Sequence, residues 1–205
     1  MKKKLILVAA PPACGKTYVS ERIAKSLGQA VYLDKDDLCD LIRTSFAAAR
    51  QPLDMDGDFY IRNIRPAEYS TMMRIAFSAL RFSPYVILNA PFGKEVRDVG
   101  YMKAVKDKAN QMDADLLLIW VTAPLSVCYE RMKKRNSDRD VLKLENWDNY
   151  VSKTNYDPPY ELADAEAIDS LFIFDTKDDT AFQRSLAETI NLITGGSLWQ
   201  TEKRS

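Results

Sequence analysis

The chain has no histidine in its 205 residues. That excludes Ser-His-Asp and Cys-His mechanisms and leaves any general-base role to a carboxylate or another non-histidine group. Cysteine is scarce too. Cys14, Cys39 and Cys128 are odd in number, far apart, and lack the paired spacing of a zinc site or a redox motif, so they read as reduced thiols. Neither sign of charge is in excess, with 29 basic and 29 acidic residues. No whole-molecule field therefore draws the protein to nucleic acid or an anionic membrane, and anion binding must be local. Long apolar runs are missing as well: nothing approaches the ~20 residues of a membrane span. The opening run Leu5 to Ala10 is also shorter than the ~7–15 residues of an export-signal core and runs into Pro11 and Pro12. A cytoplasmic protein without a membrane partner is expected.

What is present is an alternation of strand-length and helix-length patterns. "KLILVAA" (4–10), "AVYLD" (30–34), "YVILNA" (85–90), "DLLLIWVT" (115–122) and "LFIFD" (171–175) read as buried strands. Between them fall helical periods: from Lys16 to a stop at Gly28, from an Asp36 cap through Leu38, Leu41, Ile42 and Phe46, and from about Ala67 to Phe82. Further helices are expected over 95–112, over "LSVCYERMKKR" and over roughly Asp179 to Thr194. Strands separated by helices imply βαβ units and a parallel sheet, an α/β fold. A hydrophobic content of 46% supports one core, hence a single domain over about 1–196 with a polar tail, 197–205, that Trp199 could pin.

"APPACGKT" (10–17) matches the Walker A pattern G-x-x-x-x-G-K-[ST], with Ala10 in place of the first glycine. It sits where that motif belongs, after an apolar strand and before an amphipathic helix. Pro12, Ala13, Cys14, Gly15, Lys16, Thr17 and Tyr18 are the expected nucleotide-binding residues. Backbone N–H groups curled around Gly15 would meet phosphate oxygens, Lys16 would reach the β- and γ-phosphates, and Thr17 would offer its hydroxyl to Mg²⁺. Ala10 is tolerable if its φ stays negative.

Ligands in an open parallel sheet lie beyond the carboxyl ends of the strands. Strand two ends "LDKDD", which makes Asp34 the candidate base for a hydroxyl and Asp36 a candidate cap, metal contact or substrate contact. Strand three ends in Asn89, where a Walker B aspartate is expected, so Mg²⁺ would lean on Thr17, the phosphates and Asp34 or Asp36. Lys94 and Arg97 follow, either as substrate or phosphate contacts or as solvated charges. Arg131, Arg135 and Arg139 recur every fourth residue before "KKRNSDRD" breaks the helix, the pattern of a lid (about 133–150) carrying cations over a triphosphate. Two short stretches read as decoys: "DMDGD" (54–58) as a turn rather than a calcium loop, and "TKDD" (176–179) as a chance likeness to a guanine-reading element.

Together "APPACGKT", "LDKDD", "NAPF" and "VCYERMKKRNSDRD" resemble the small P-loop kinases of the AAA-type ATP-binding family. The nearest branch contains polynucleotide 5′-kinase domains, zeta-toxin kinases and chloramphenicol phosphotransferase. The likeness spans about 3–180. It implies a three-layer P-loop NTPase fold with strand order 2-3-1-4-5 and a small lid, and ATP with Mg²⁺ as donor. It also implies the hydroxyl-directed role for Asp34, and Arg131, Arg135 and Arg139 as lid arginines. The leading expectation is phosphoryl transfer to a small-molecule hydroxyl. The acceptor would meet the insert at about 50–82, with Tyr60, Arg62, Arg65, Tyr69 and Met73 as pocket or as core. A polynucleotide kinase is less favoured because the net charge is neutral, and a nucleotide-binding regulator with low turnover is the third reading. Monomer and homodimer both remain open.

Overall fold

The computed structural model describes residues 2–195, except the side chains of residues 138 and 139; the tail 197–205 with Trp199 lies outside the described residues. Five parallel strands form one sheet in the order β2-β3-β1-β4-β5. They are β1 (Lys3–Ala9), β2 (Ala30–Asp34), β3 (Tyr85–Asn89), β4 (Ala114–Thr122) and β5 (Ser170–Asp175). Around them run α1 (Lys16–Leu27), α2 (Cys39–Ala48), α3 (Arg65–Ala79), α4 (Val99–Asn110), α5 (Leu125–Arg135), α6 (Asp138–Glu145), α7 (Trp147–Lys153), α8 (Tyr160–Asp164) and α9 (Asp179–Thr194). This is the three-layer P-loop NTPase fold that the sequence leads one to expect.

Successive side chains of a strand point to opposite faces, so an unbroken apolar strand serves two cores at once. Leu5, Leu7 and Ala9 of β1, with Leu116, Leu118 and Trp120 of β4, pack beneath α3, α4 and α8. Ile6 and Val8, with Leu117, Ile119 and Val121, pack against α1, α5 and α9. Leu5 through Ala9 are fully buried, and each large apolar side chain among them contributes about 1.5–3 kcal/mol. The central strand is thus fixed from both sides, and its carboxyl end is a rigid platform. No helix among the described residues is long and apolar enough to cross a membrane.

Three local details differ from expectation. The cap after β2 is Asp34, whose Oδ1 accepts from Asp36 N at 2.9 Å; a 3₁₀ turn (Lys35–Leu38) intervenes before α2. The helix expected over 95–112 is broken, because Asp98 is extended and accepts from Tyr101 N, so a short turn (Glu95–Arg97) precedes a separately capped α4. The insert contributes a π-turn (Tyr60–Ile64) that runs into α3, which tolerates Pro66 in its first turn.

The insert is tied to β2 by a buried polar cluster. Lys35 Nζ lies 2.8 Å from Glu68 Oε1, with side chains 9% and 1% exposed, and Tyr60 donates to Glu68 Oε2 at 2.5 Å. Tyr60 also joins Ile42 and Phe46 in a small satellite core.

Candidate active site

The phosphate loop leaves β1 and turns into α1 through two left-handed residues, Ala13 (φ 64) and Gly15 (φ 90). Ala10 is not among the positive-φ residues, so its methyl group replaces the usual glycine without strain. Gly15 is favoured by its φ, which a side chain would strain; Arg131 Nη1 would lie in ordinary contact, 3.4 Å, from a Cβ there. Consecutive backbone N–H groups in such a curl, at the start of a twelve-residue helix, form an anion cradle.

Asn89 sits at the centre of the strand ends. It is fully buried and in register with Val8 on one side and Asp34 on the other. Its Oδ1 accepts from Lys16 Nζ at 2.5 Å, and its Nδ2 donates to Thr17 Oγ1 at 3.1 Å and to Asp34 Oδ2 at 2.5 Å. The residue that departs from the Walker B pattern therefore bridges the loop lysine, the loop threonine and the carboxylate of strand two. Tyr32 donates to Asp34 Oδ2 at 3.0 Å and also meets Ser20 Oγ at 3.2 Å. Burial pushes the Tyr32 hydroxyl up to about 12, Ser20 pulls it down, and the neighbouring Asp34 charge adds to the rise. It stays a proton donor at neutral pH. Asp34 thus receives three hydrogen bonds, one of them from Asp36 N.

A cavity of about 380 Å³ opens above this network. The whole phosphate loop, Asp36, Pro91, Arg131, Arg135 and Lys143 line it, so among the described residues four cationic side chains and one carboxylate share it. Asp36 is exposed there, whereas Asp34 is half-buried and is not among the lining residues. A second cavity of about 330 Å³ adjoins the loop at Gly15, Tyr18 and Arg131 and is closed by Thr176, Lys177, Asp178, Asp179 and Phe182.

Of the three arginines expected in a lid, the two whose side chains are described are held differently. Arg131 donates to Ala13 O (3.3 Å), Thr176 Oγ1 (3.0 Å) and Thr176 O (2.7 Å), fastening α5 to the phosphate loop and to the loop after β5. Among the described residues Arg135 pairs with Asp140 Oδ2, at 2.7 Å from Nε and 2.6 Å from Nη2. The other oxygen of Asp140 is buried without a hydrogen-bond partner among the described residues. Asn136 is left-handed (φ 47, ψ 49) and ends α5, which breaks the four-residue spacing before Arg139, whose side chain lies outside the described part.

The expected substrate-side cations are brought together in part: Arg65 and Lys94 border one groove between α3 and α4, which Arg62 and Arg97 do not line. Arg62 pairs with Asp58 on an exposed surface, both side chains at least three-quarters exposed. Arg65 forms a two-pronged pair with Glu95 (2.7 and 2.9 Å) and lies over the Tyr69 ring. Arg97 ties the β3 loop to α8 through Glu161 and the Asp157 carbonyl and covers Trp120. Lys94 is exposed beside the groove between α3 and α4. Tyr60, Tyr69 and Met73 are buried core residues, although Tyr69 and Met73 also border that groove. Arg62 is thus paired within its own helical turn, whereas Arg65 and Arg97 are paired across elements.

Sequence reading did not single out Lys143, Pro91 or Thr176. Lys143 does continue the spacing of 131, 135 and 139, but the break at Asn136 means that spacing alone cannot place it. Thr176 carries no signal outside the "TKDD" stretch set aside as a decoy, yet its hydroxyl donates to Cys14 O at 2.8 Å. "DMDGD" is a turn, with Asp56 N donating to Asp54 Oδ1.

A strand, a curled loop with lysine and threonine, and a helix in this order define a P-loop protein. The family profile described as "AAA domain" matches residues 5–158, and the chain belongs to that family. Comparison with curated proteins gives no match. Among solved structures, a Chloroflexus aurantiacus j-10-fl protein provisionally designated a kinase is similar over 97% of this chain and 100% of its own (TM-score 0.63, 18% identity). Chaetomium thermophilum Kti12, solved with ADP-AlF3, is similar over 92% and 98% (TM-score 0.56, 16% identity). Shikimate kinase from Bacteroides thetaiotaomicron is similar over 92% and 97% (TM-score 0.51, 12% identity). At these identities the likeness establishes the fold.

Proposed function

We propose that this protein is an ATP-dependent phosphotransferase that moves the γ-phosphoryl group to a hydroxyl of a small-molecule acceptor. The observation that carries the reading is the loop-lined cavity that Lys16, Arg131, Arg135 and Lys143 share with the carboxylate of Asp36. Phosphoryl transfer needs charge stabilisation around the moving group and one carboxylate to orient the incoming hydroxyl and accept its proton. Both requirements meet here. The triphosphate would occupy the loop, and the base would enter the adjoining cavity between Tyr18, Arg131 and Thr176. Residues 133–150 would act as the lid. The motif residues support a place among the polynucleotide-kinase, zeta-toxin and chloramphenicol-phosphotransferase group.

We assign the acceptor-facing role to Asp36, because its carboxylate is exposed in the cavity wall. Asp34, engaged by three donors, would instead position Asn89 and the turn that carries Asp36. In transfer, the bond from γ-phosphorus to the ADP oxygen breaks, the acceptor oxygen bonds to phosphorus, and the hydroxyl proton passes to Asp36. The donor set suits Mg²⁺, which takes hard oxygen ligands: the Thr17 hydroxyl and, across water, Asp34 or Asp36 would hold it. No group of three or more His, Cys, Asp or Glu side chains that could hold a metal occurs among the described residues, so nucleotide phosphates would complete the shell. When bound, Mg²⁺ neutralises phosphate charge.

The test is a screen for ATP-dependent phosphorylation of hydroxyl-bearing metabolites, nucleosides and 5′-hydroxyl oligonucleotides, with GTP run in parallel as donor. Labelling of a small acceptor is expected. Labelling of oligonucleotides alone would replace the small-molecule reading with a polynucleotide kinase.

A further inference from the structure

Cys14 and Cys128 are separated by 114 positions in the chain, yet their Sγ atoms lie 3.7 Å apart. Cys14 belongs to the phosphate loop, immediately before Gly15 and Lys16, and Cys128 lies on α5, three residues before Arg131. Both are buried, at 1% and 0% exposure. The backbones that carry them are already fastened together, since Arg131 of α5 donates to the carbonyl of Ala13 and Thr176 Oγ1 donates to that of Cys14. An approach of about 1.7 Å would bring the sulfurs to the disulfide length of ~2.05 Å. Cys14 also lines the phosphate cavity, which gives a small oxidant a route that the outer surface does not. Cys39, at the start of α2, is the remaining cysteine and can serve as an internal control.

We propose that Cys14 and Cys128 are an oxidation site, forming a reversible disulfide on reaction with a hydroperoxide and locking the phosphate loop to α5. The Cys128 thiol is held below the usual thiol range by its contact with Cys14, against the effect of burial and with help from the Arg131 charge. The same contact, together with burial, pushes Cys14 up. Either sulfur, as its thiolate, can attack a peroxide oxygen; the O–O bond breaks, and the leaving oxygen takes a proton to give water or an alcohol, leaving that cysteine as a sulfenic acid. The other sulfur, losing its proton, then attacks it; the S–O bond breaks, and hydroxide leaves as water on taking that proton. Two thiols are oxidised and one peroxide is reduced. The loop can then no longer adjust around a phosphate, and nucleotide affinity falls.

The cross-link itself is independent of the proposed kinase activity; only its effect on affinity rests on the loop's binding a nucleotide. The test treats the full chain with hydrogen peroxide, alkylates it after denaturation, and reads intact mass, a peptide map and ADP affinity. Expected are a loss of two hydrogen atoms, a Cys14–Cys128 linked peptide, an alkylated Cys39, and ADP affinity lowered at least about tenfold, within the usual range of coupling between sites. Dithiothreitol restores the original state. Cys128→Ser binds ADP equally before and after peroxide. Three alkylated cysteines, a gain of oxygen in place of the link, or a linked protein with unchanged ADP affinity would each overturn the proposal. A reduced protein that binds no ADP would instead overturn the nucleotide reading, while mass still reports the cross-link.

Discussion

The two halves of the crevice are built differently. On the phosphate side, Lys16, Thr17, Asn89, Asp34 and Tyr32 form one chain of hydrogen bonds across the ends of β1, β3 and β2. On the acceptor side, Arg62 and Lys94 are exposed, and Arg65 and Arg97 are spent on pairs with Glu95 and Glu161. The groups that would meet the transferred phosphoryl group are thus held in place in advance by neighbours. The groups that would meet a particular acceptor are left to solvent or to the scaffold, and ordering them costs entropy on binding. Substitutions should then act on transfer on the first side and on little beyond local stability on the second.

Lys16→Ala tests this most severely: transfer should fall at least about 1,000-fold, the scale of losing a positioned charge at the transferred group, with the fold intact by circular dichroism. Asp36→Asn comes next, with transfer down about 100- to 10,000-fold and ADP affinity unchanged by calorimetry. Asp34→Asn should cost less than Asp36→Asn; the reverse order would return the acceptor-facing role to Asp34. Glu68→Gln leaves Lys35 buried without a counter-charge and should lower unfolding free energy by about 3 kcal/mol in a denaturant titration. Asn89→Asp sharpens the comparison, because it places a second carboxylate 2.5 Å from Asp34 Oδ2. Transfer at neutral pH should drop about tenfold or more, the scale of disturbing a positioned group, and a gain of activity would mean that Asn89 is a weakened metal ligand and not a bridge. Arg62→Ala should change stability by less than about 0.5 kcal/mol and leave transfer kinetics unaltered.

Much of this frame is legible in the sequence. The unbroken apolar run of β1 and the strand-loop-helix order around Gly15 to Thr17 follow from burial on two faces and from the geometry of phosphate binding. The position of Asn89 at the end of β3 is equally readable, but its role is not. Nothing local to "ILNAPF" shows that Lys16, Thr17 and Asp34 converge on it, because that depends on the register of three strands. The same holds for Cys14 and Cys128, which sequence spacing presents as unrelated. Arg62, Arg65 and Arg97 each have an ion-pair partner: Asp58, one turn before Arg62, is readable from spacing, whereas Glu95 for Arg65 and Glu161 for Arg97 come from distant parts of the chain and are not. That Asp36 lines the cavity goes with the 3₁₀ turn after β2, which helical periodicity is too coarse to resolve.

The account rests on a cavity in which Lys16 and Asp36 cooperate on a phosphoryl group passing to a small acceptor. The most direct measurement is label transfer from γ-labelled ATP to the acceptor panel, run with the unaltered protein, Lys16→Ala and Asp36→Asn side by side. The account predicts a labelled small-molecule hydroxyl with the unaltered protein and loss of that product in both variants, Asp36→Asn still binding ADP. Transfer retained by Asp36→Asn, or label released only as inorganic phosphate with every acceptor tried, would contradict it.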